Sequence, residues 1–501
     1  MPIITILTGH DTIHAEAPEG ALLSSVLQAE LPTFALPCAG NHTCGKCRVQ
    51  VSGAALPPDA QELSLLSEKD RQAGVRLACS CRIAGDLTVT VQTGGKSKIL
   101  AWNKTPAFAR TETGYGLAVD IGTTTVAMQL FDRATGTVLA EQLAENRQRS
   151  HGADVISRIE ACKTAGLDTL SRLIRDELEQ MARACLDEAG LSAVDEAVVT
   201  GNSTMLYLYE GIDPSALAVV PFTMSTFFGG TSRHTLAGAP VYLPRCIGAY
   251  VGADIVCSIL ASDMVHQPGV QLMTDIGTNG EMALHKDGKL LCCATAAGPA
   301  FEGAGLSCGM PAAPGAIPTV ALTAGKVSYT TVGDQPATGI CGSGILDVLR
   351  VMLEQEAIDD TGYLECEDEA GYTIGDSGVC ITQKDVRQIQ LAKSAICAGL
   401  VTLMQETGVD ADTVTQFHIA GGFGSSINYD SAAAIGLFPE ALTRKTNFIG
   451  NGALGGAAML LMNRDLRAQS ERMAAEATEL SLSASQTFMD AYVDCMSFMA
   501  F

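Results

Sequence analysis

The sequence predicts two kinds of architecture in one chain of 501 residues. A small α+β domain at the N-terminus is expected to precede an α/β body built from two similar halves. In about the first 92 residues, five short stretches alternate like strands and one main stretch has helical spacing. The motif DIGTTT at Asp120–Thr125 returns as DIGTNG at Asp275–Gly280, 155 positions later. The polar stretch TGGKSK at Thr93–Lys98 reads as the start of a linker between the two parts.

The elements of the small domain follow from alternation and from helical spacing. Strands are expected at Ile3–Leu7, Thr12–Ala17, Lys46–Val51, Arg76–Ile83 and Leu87–Gln92, and helices at Ala21–Leu31 and Asp59–Glu68. Five strands and one main helix in so short a segment form a compact β-grasp layout.

Composition limits the function. The chain carries 32 basic and 55 acidic residues, a net charge of −23, which argues against nucleic acid and against anionic membranes as partners. The N-terminus lacks the pattern of a signal peptide, and no apolar run reaches about 18 residues. Seventeen cysteines, an odd number without repeating spacing, are typical of a reducing compartment. We therefore expect a cytoplasmic protein.

The first chemical motif is a cysteine loop in the small domain. Cys38, Cys44 and Cys47 follow the pattern C-x5-C-x2-C, and Cys79 comes 32 residues after Cys47. Three thiolates on a glycine-containing loop, with a remote fourth one, can hold an iron-sulfur cluster. The first gap is one residue longer than in plant-type ferredoxins and resembles that of adrenodoxin-like 2Fe-2S ferredoxins.

The cysteine loop also allows other interpretations. A tetrahedral zinc site usually contains two short cysteine pairs, and only one exists here. His42 lies inside the loop, but a Rieske centre needs two histidines, so a solvated histidine is expected. Cys81 follows Cys79 by two positions, which would place both on one strand face, and it competes as the fourth ligand.

The repeated motif predicts a phosphate site. A strand that ends in Asp, followed by Gly and hydroxyl residues, offers amides and hydroxyls to phosphate oxygens, while the carboxylate holds Mg²⁺ or its water. Asp-Ile-Gly is also an ordinary turn sequence. Two copies at a domain-sized separation indicate an internal duplication whose halves enclose one nucleotide.

A third motif, FHIAGGFGSSIN at Phe417–Asn428, is an apolar strand that leads into glycines. Gly421 and Gly422 would let a purine and a ribose lie against the backbone. Taken alone, the motif could be a tight strand-to-helix turn.

In order, the motifs AVDIGTTTVAM, IGAYVGADIVCSIL, MTDIGTNGEMAL, IAGGFG and GNGALGGAAML resemble five elements of the acetate and sugar kinase, chaperone ATPase and actin superfamily. These elements are phosphate 1, connect 1, phosphate 2, adenosine and connect 2. The resemblance implies a duplicated, ribonuclease-H-like, actin and sugar-kinase-like ATPase. With a 2Fe-2S domain in front, the whole chain resembles the reductive activators of corrinoid proteins. RLAC, GADVISRI, TGNSTM, GPAFEGAG and GICGSG agree with that family, and RLAC favours Cys79 over Cys81.

The resemblance implies a division of the chain. The expected parts are a ferredoxin domain at 1–94, a linker at 95–114, a first ATPase subdomain at 115–265 and a second one at 266–501. Because only about 20 residues separate Thr93 from Tyr115, we expect a short member of the family that lacks its middle domain.

The resemblance also implies the function. The expected activity is ATP-dependent electron transfer from the 2Fe-2S cluster to a corrinoid protein, Co(II) to Co(I), with ATP and Mg²⁺ as further cofactors. The corrinoid protein would serve a methyltransferase or O-demethylase system. An upstream electron donor is required, and a homodimer is one oligomeric form considered.

Roles can be assigned to individual residues. Asp120 and Asp275 are expected to coordinate Mg²⁺, and Asp254 and Glu302 are candidates to orient the attacking water. The last two could instead be a helix cap or a salt-bridge acid, and Asp154 is a weaker candidate. Phosphate and adenosine contacts are expected from Gly122, Thr123, Thr124, Gly277, Thr278, Asn279, Gly421 and Gly422.

Two other functions remain open at this point. One is a kinase for a small metabolite with the ferredoxin as an attached sensor. The other is a redox-sensing, chaperone-like ATPase that controls partner binding without delivering electrons.

Overall fold

The N-terminal domain is a five-stranded mixed sheet with a helix packed on it. The computed structural model describes residues 1–8, 12–31, 34, 36, 42, 45, 47–66, 68–91, 108–365, 371–422 and 427–501. Strands β1 (Ile3–Leu7), β2 (Thr12–Glu16), β3 (Arg48–Ala55), β4 (Val75–Leu77) and β5 (Ile83–Thr90) are ordered β2-β1-β5-β3-β4, with helices α1 (Leu23–Glu30), α2 (Ala60–Leu65) and α3 (Glu68–Gln72). β1 is parallel to β5, as a β-grasp layout requires.

One expected strand of this domain is interrupted. The stretch from Arg76 to Ile83 alternates like a strand, but β4 ends at Leu77. The amides of Ser80 and Cys81 both donate to the Leu77 carbonyl, at 2.9 and 2.8 Å, so the chain turns there. The expectation that Cys79 and Cys81 share one strand face was therefore wrong.

The first half of the body is a six-stranded sheet with helices on both faces. Its strands are β6 (Tyr115–Ile121), β7 (Thr125–Asp132), β8 (Thr137–Glu145), β9 (Glu196–Gly201), β10 (Gly230–Leu236) and β11 (Ala239–Leu243), ordered β10-β11-β9-β6-β7-β8. Its helices are α4 (Val155–Ala161), α5 (Leu167–Ala189), α6 (Ser203–Glu210) and α7 (Ala253–Ser262). α5 packs an apolar face on β7 and β8.

The second half repeats this plan. Its main sheet contains β12 (Val270–Ile276), β13 (Gly280–Lys286), β14 (Lys289–Thr295), β21 (Val414–Ala420), β22 (Thr446–Gly450) and β23 (Thr478–Glu479), ordered β22-β21-β12-β13-β14-β23. Short strands β15 (Ala316–Ile317), β16 (Thr319–Thr323), β17 (Lys326–Thr330), β18 (Gly339–Ile340), β19 (Tyr372–Thr373) and β20 (Cys380–Ile381) form three two-stranded sheets. The helices are α8 (Gly342–Glu354), α9 (Gln383–Glu406), α10 (Tyr429–Ala434), α11 (Gly452–Met462), α12 (Asp465–Glu476) and α13 (Gln486–Asp494).

The two main sheets confirm the predicted duplication. In each half, the repeated motif forms the first turn of three consecutive antiparallel strands, and the first of these strands is parallel to a later one: β6 to β9, and β12 to β21. A further parallel strand follows on the same side, β11 or β22. The polar turns of both motifs therefore lie at the same edge of their sheets. No helix in the described ranges is long and apolar enough to cross a membrane.

Candidate nucleotide cleft and cluster site

The two repeated motifs meet at their tips. Each forms a tight turn: the Gly122 amide donates to the Thr125 carbonyl at 3.0 Å, and the Gly277 amide donates to the Asn279 carbonyl at 3.2 Å. The hydroxyls of Thr124 and Thr278 are 2.9 Å apart, across the boundary between the halves. The hydroxyls of both motifs thus meet at one place between the halves, where hydroxyl donors suit the binding of phosphate.

Three aspartates enter this cleft from three different elements. Asp120 is the penultimate residue of β6, Asp275 is the penultimate residue of β12, and Asp254 lies in the first turn of α7. Burial, followed by the charge of Asp254, raises the pKa of Asp120 to about 8 and that of Asp275 to about 7. Burial also raises the pKa of Asp254 to about 6. Burial of these side chains therefore disfavours the carboxylate forms, and a cation would reverse this preference.

Two glutamates complete the acidic group. Glu302 ends the short 3-10 turn Pro299–Glu302 and accepts the Thr278 hydroxyl at 2.9 Å. Burial raises the pKa of Glu302, and the hydrogen bond from Thr278 is the largest effect that opposes this rise. Glu281 lies on β13, in register with Asp275, and burial raises the pKa of Glu281 far above its ordinary value. Sequence reasoning missed Glu281, although it directly follows DIGTNG.

These acids do not form a ready-made metal site. Among the residues that the structure describes, no three carboxylate, histidine or cysteine side chains are grouped closely enough to hold an ion. Mg²⁺ typically keeps several waters and binds through one or two carboxylates together with substrate phosphates. The chemistry of the donors thus fits an ion that enters with a nucleotide, and when bound it would neutralise charge on the phosphates.

Two asparagines hold the first motif in place, and the sequence reasoning missed both. Asn202 is the N-cap of α6 and Asn451 is the N-cap of α11, and each directly follows a strand that ends in glycine. The side-chain amide of Asn202 donates to the Thr123 hydroxyl at 2.9 Å. The side-chain amide of Asn451, a residue of the second half, donates to the Asp120 carboxylate of the first half at 3.2 Å. The sequence feature that could have identified these two asparagines is the Gly-Asn dipeptide that TGNSTM and IGNGAL share.

A buried cation lies beneath the first motif. Arg158 on α4 has no exposed surface, and its guanidinium donates to the carbonyls of Thr123 and of Gly152, the latter at 3.0 Å. Burial lowers the pKa of Arg158 to about 9. Asp154, the weaker catalytic candidate, is the N-cap of the same helix and accepts the Ser157 amide at 2.8 Å. Arg158 therefore shapes the turn from below, and Asp154 caps a helix.

The proposed adenosine motif lies beside the second aspartate. β21 ends at Ala420, and the Gly421 amide donates to the Gly450 carbonyl at 3.1 Å. A Cβ on Gly421 would lie 2.5 Å from an oxygen of Asp275. Gly421 and Gly422 are described, whereas residues 423–426 of the motif lie outside the described residues.

The connect helices α7 and α11 cross at very short distance. A Cβ on Gly456 would lie 2.1 Å from the Cys257 carbonyl oxygen, and one on Gly452 would lie 2.8 Å from the Ser258 hydroxyl. The backbones therefore touch where one helix from each half meets the other.

The cluster site is partly described. Cys47 and Cys79 are both buried, and the Cys79 amide donates to the Cys47 sulfur at 3.5 Å. A hydrogen bond with Cys47 leads the effects that lower the pKa of Cys79 to about 6. Burial raises the pKa of Cys81 to about 11. The pair Cys47 and Cys79 therefore fits thiolate ligation, whereas Cys81 has the environment of a core thiol.

Three further residues of the cysteine loop bear on the cluster site, namely Cys38, His42 and Cys44. Cys38 and Cys44 fall outside the described residues. His42 is half-buried, and its Nδ1 lies 2.6 Å from the Ser80 hydroxyl, next to Cys79, so it is not the solvated histidine that we expected.

Comparison with known families covers the three parts of the chain. Residues 6–84 match the 2Fe-2S iron-sulfur cluster binding domain, residues 115–267 match the RACo middle region, and residues 269–500 match the C-terminal domain of RACo, the ASKHA domain. The fold and its sites define an electron-transfer enzyme that joins a 2Fe-2S domain to an ATP-dependent body.

Two relatives and one solved structure extend this match. The corrinoid activation enzyme RamQ of Eubacterium limosum is 31% identical over 76% of this chain and 69% of its own length. A Methanosarcina barkeri protein named [Co(II) methylated amine-specific corrinoid protein] reductase is 27% identical over 77% of each chain. A solved structure named reductive activator for corrinoid, iron-sulfur protein is 27% identical, covers 99% of this chain and 98% of its own, and has a TM-score of 0.70. The chain belongs to the RACo family.

One sequence-based expectation is corrected by the family match. The chain does not lack the middle domain, because residues 115–267 are the middle region of the family. The same residues form the first of the two duplicated sheets, and the sequence reasoning had counted them only as an ATPase subdomain.

Proposed function

We propose that this protein reductively activates a corrinoid protein, delivering one electron from its 2Fe-2S cluster to Co(II) to form Co(I), at the expense of ATP. The observation that carries the proposal is the combination of domains over the whole chain, shared with a solved reductive activator along 99% of the sequence. When bound, the cluster supplies one electron at a time.

The nucleotide has a thermodynamic purpose in this proposal. Plant-type clusters have potentials near about −400 mV. An acceptor roughly 200 mV lower would make transfer unfavourable by about 4.6 kcal/mol, at about 59 mV per tenfold change in equilibrium constant. Closure of the two halves on ATP would have to favour the productive complex by several kcal/mol.

Roles within the cleft form part of the proposal. Asp120 and Asp275 would hold Mg²⁺ directly or through water, and the turn residues around Thr124 and Thr278 would contact the phosphates. Glu302, already bonded to Thr278, and Asp254 would orient the attacking water. Gly421 and Gly422 would flank the adenosine. The division of the chain at residues 94, 114 and 265 belongs to the same proposal.

The biological setting is also proposed. The corrinoid protein would belong to a methyltransferase or O-demethylase system, and a separate reductant would reload the cluster. A homodimer is the proposed assembly. A cytoplasmic location is supported by the cysteine content of the sequence.

The decisive experiment follows Co(I) absorbance and phosphate release together. Anaerobically purified, reduced protein is mixed with Mg-ATP and each candidate Co(II) corrinoid protein of the same organism. We expect Co(I) to form only when ATP and the reduced cluster are both present. ATP consumption that follows an added metabolite and ignores every corrinoid protein would favour the kinase instead.

A second experiment tests the proposed ligands Cys38, Cys44, Cys47 and Cys79. The purified protein should contain about two irons per chain. Cys79→Ser should bleach or strongly shift the visible spectrum, because the thiolate beside Cys47 is lost. Cys81→Ser is the matched control and should keep the spectrum. The reverse result would move the fourth ligand to Cys81.

A further inference from the structure

A 3-10 turn in the first half is fastened directly to the first phosphate motif. The turn spans Arg147–Ser150 and begins after Asn146, whose side-chain amide donates to the Gly122 carbonyl at 2.9 Å. The backbone amide of Asn146 donates to the Thr124 carbonyl, also at 2.9 Å. The position of this turn is therefore fixed relative to the hydroxyls that face the cleft.

Arg149 extends from this turn toward the junction of the two halves. Its guanidinium lies 3.1 Å from Glu145, which ends β8 in register with Thr125. The Arg149 side chain is 14% exposed, whereas that of Glu145 is 48% exposed. Glu302 of the second half is close enough for the charge of Arg149 to lower its pKa, against the larger effect of burial.

We propose that Arg149 is a catalytic residue that contacts the terminal phosphoryl group of ATP during hydrolysis. This inference rests on the proposed function only in its use of ATP. In the reaction, water attacks the γ-phosphorus, the bond to the bridging oxygen breaks, and ADP and phosphate leave. A guanidinium supplied by the same chain would stabilise the charge that develops on the phosphoryl oxygens.

The charge balance of the cleft supports this role. ATP brings its negative phosphates to a cleft that also contains the buried acids Asp120, Asp254, Asp275, Glu281 and Glu302. A single Mg²⁺ offsets only part of the charge that the phosphates themselves carry. A planar guanidinium with several N–H donors matches phosphate geometry better than a point charge does.

Other nearby arginines are engaged elsewhere. Arg158 donates to backbone carbonyls beneath the motif and is fully buried. Arg147, two residues earlier on the same turn, donates to Gln180 at 2.6 Å and lies beside Glu177 on α5, away from the cleft. Within the described part of the chain, the ion-pair partner of Arg149 is the half-exposed Glu145, and leaving such a partner to turn toward a phosphate costs little.

The test compares Arg149→Gln and Arg149→Lys with the unmodified full-length protein. We expect Arg149→Gln to lower kcat for ATP by about 100-fold to 1,000-fold while the affinity for ADP changes less than about threefold. Arg149→Lys should recover part of the loss. Aluminium fluoride should tighten Mg-ADP binding to the unmodified protein, and this tightening should disappear in Arg149→Gln.

Two matched variants separate the proposal from a structural role. Arg147→Gln removes a charge from the same turn, and Glu145→Gln removes the ion-pair partner; both should keep kcat within about twofold. Unchanged kcat in Arg149→Gln, or an equal loss in Glu145→Gln at the same melting temperature, would overturn the inference. Co(I) formation is measured separately. If aluminium fluoride fails to tighten Mg-ADP binding only in Arg149→Gln, this inference is supported. If the unmodified protein at the same time forms no Co(I), the proposed function is contradicted.

Discussion

The two halves of the body share a backbone plan but surround their phosphate motifs differently. The first motif rests on donors: Arg158 lies beneath Thr123, and Asn202 and Asn451 donate to Thr123 and Asp120. The second motif is accompanied by acceptors, Glu281 and Glu302. Glu281 is the residue on the neighbouring strand that pairs with Asp275, and the equivalent partner of Asp120 in the first half is Ala127.

This difference teaches how a duplicated cleft becomes specialised. Sheet order and the two aspartates are kept in both halves, and these aspartates are the residues that we propose as cation ligands. The flanking polar residues have diverged, so that one side is preorganised by fixed donors while the other side contains carboxylates that hold protons or cations. The fixed donors of the first half thus suit the proposed phosphate positioning, and Glu302 of the second half suits the proposed orientation of water.

The largest expected effect tests what the halves share. Asp120→Ala and Asp275→Ala should each lower ATP turnover by about 100-fold or more, because charge stabilisation by a bound ion is worth several kcal/mol at about 1.36 kcal/mol per tenfold. Both should keep the visible spectrum of the cluster. Glu160→Ala, an exposed acid on α4, is the control. Equal turnover by all four proteins would refute the shared cation site.

The next effect tests the donor side. Arg158→Met should lower the free energy of unfolding by about 3 kcal/mol, because buried carbonyls of Thr123 and Gly152 lose their donor. ATP turnover should fall as the first motif loosens. Urea unfolding and phosphate release measure both effects. Arg172→Met, on the exposed face of α5, should change stability by less than about 0.5 kcal/mol. If Arg158→Met changed neither the free energy of unfolding nor ATP turnover, the proposed difference between the two halves would be contradicted.

The third prediction concerns pH and the raised carboxyl pKa values. In the folded state these are about 6 for Asp254, 7 for Asp275 and 8 for Asp120, against 3.8 ordinarily. Between 3.8 and each folded value the folded protein binds more protons, so the nucleotide-free protein loses stability as pH rises, by up to about 1.4 kcal/mol per unit and group. Above the folded value no further loss occurs.

Melting temperatures from pH 5 to pH 9 measure this slope. Asp120→Asn should flatten it between pH 7 and pH 8, and Mg-ATP should flatten it in the unmodified protein. An unchanged slope in Asp120→Asn would show that Asp120 does not hold the proton.

The smallest effect compares the two tips. The Thr278 hydroxyl donates its hydrogen to Glu302, so the Thr124 hydroxyl is the donor in the hydrogen bond between Thr124 and Thr278. Thr124→Val loses one hydrogen bond and should cost about 1 kcal/mol, whereas Thr278→Val loses two and should cost about 2 kcal/mol. Urea unfolding distinguishes them, and equal costs would contradict the extra acceptor in the second half.

Much of the fold was accessible from the sequence. β1 was predicted at its observed bounds, Ile3–Leu7, because strand alternation is a local property. The duplication was visible because both copies keep the aspartate and the turn glycine. The turn at Cys79 was not, since the apolar alternation of LACSCRI continues through it and only the hydrogen bonds to Leu77 end the strand.

The missed cleft residues depend on tertiary placement. Asn451 donates to an aspartate 331 positions earlier, a contact that only the approach of the two halves creates. Glu281 faces Asp275 through strand register, which a one-residue difference in turn length would change. The roles of the cysteines and of the cleft acids stay predictions until the variants above are measured.

The crossing of α7 and α11 has a mechanical consequence. Because the helices touch backbone to backbone at Gly456 and Cys257, no layer of side chains separates them to be compressed or sheared. Two rods in such contact can swivel about the crossing point at little cost, while pulling them apart would expose apolar surface and pushing them together is sterically blocked. The crossing therefore fixes the separation of the two helices at this point, so a movement of one half against the other would have to be a rotation about it.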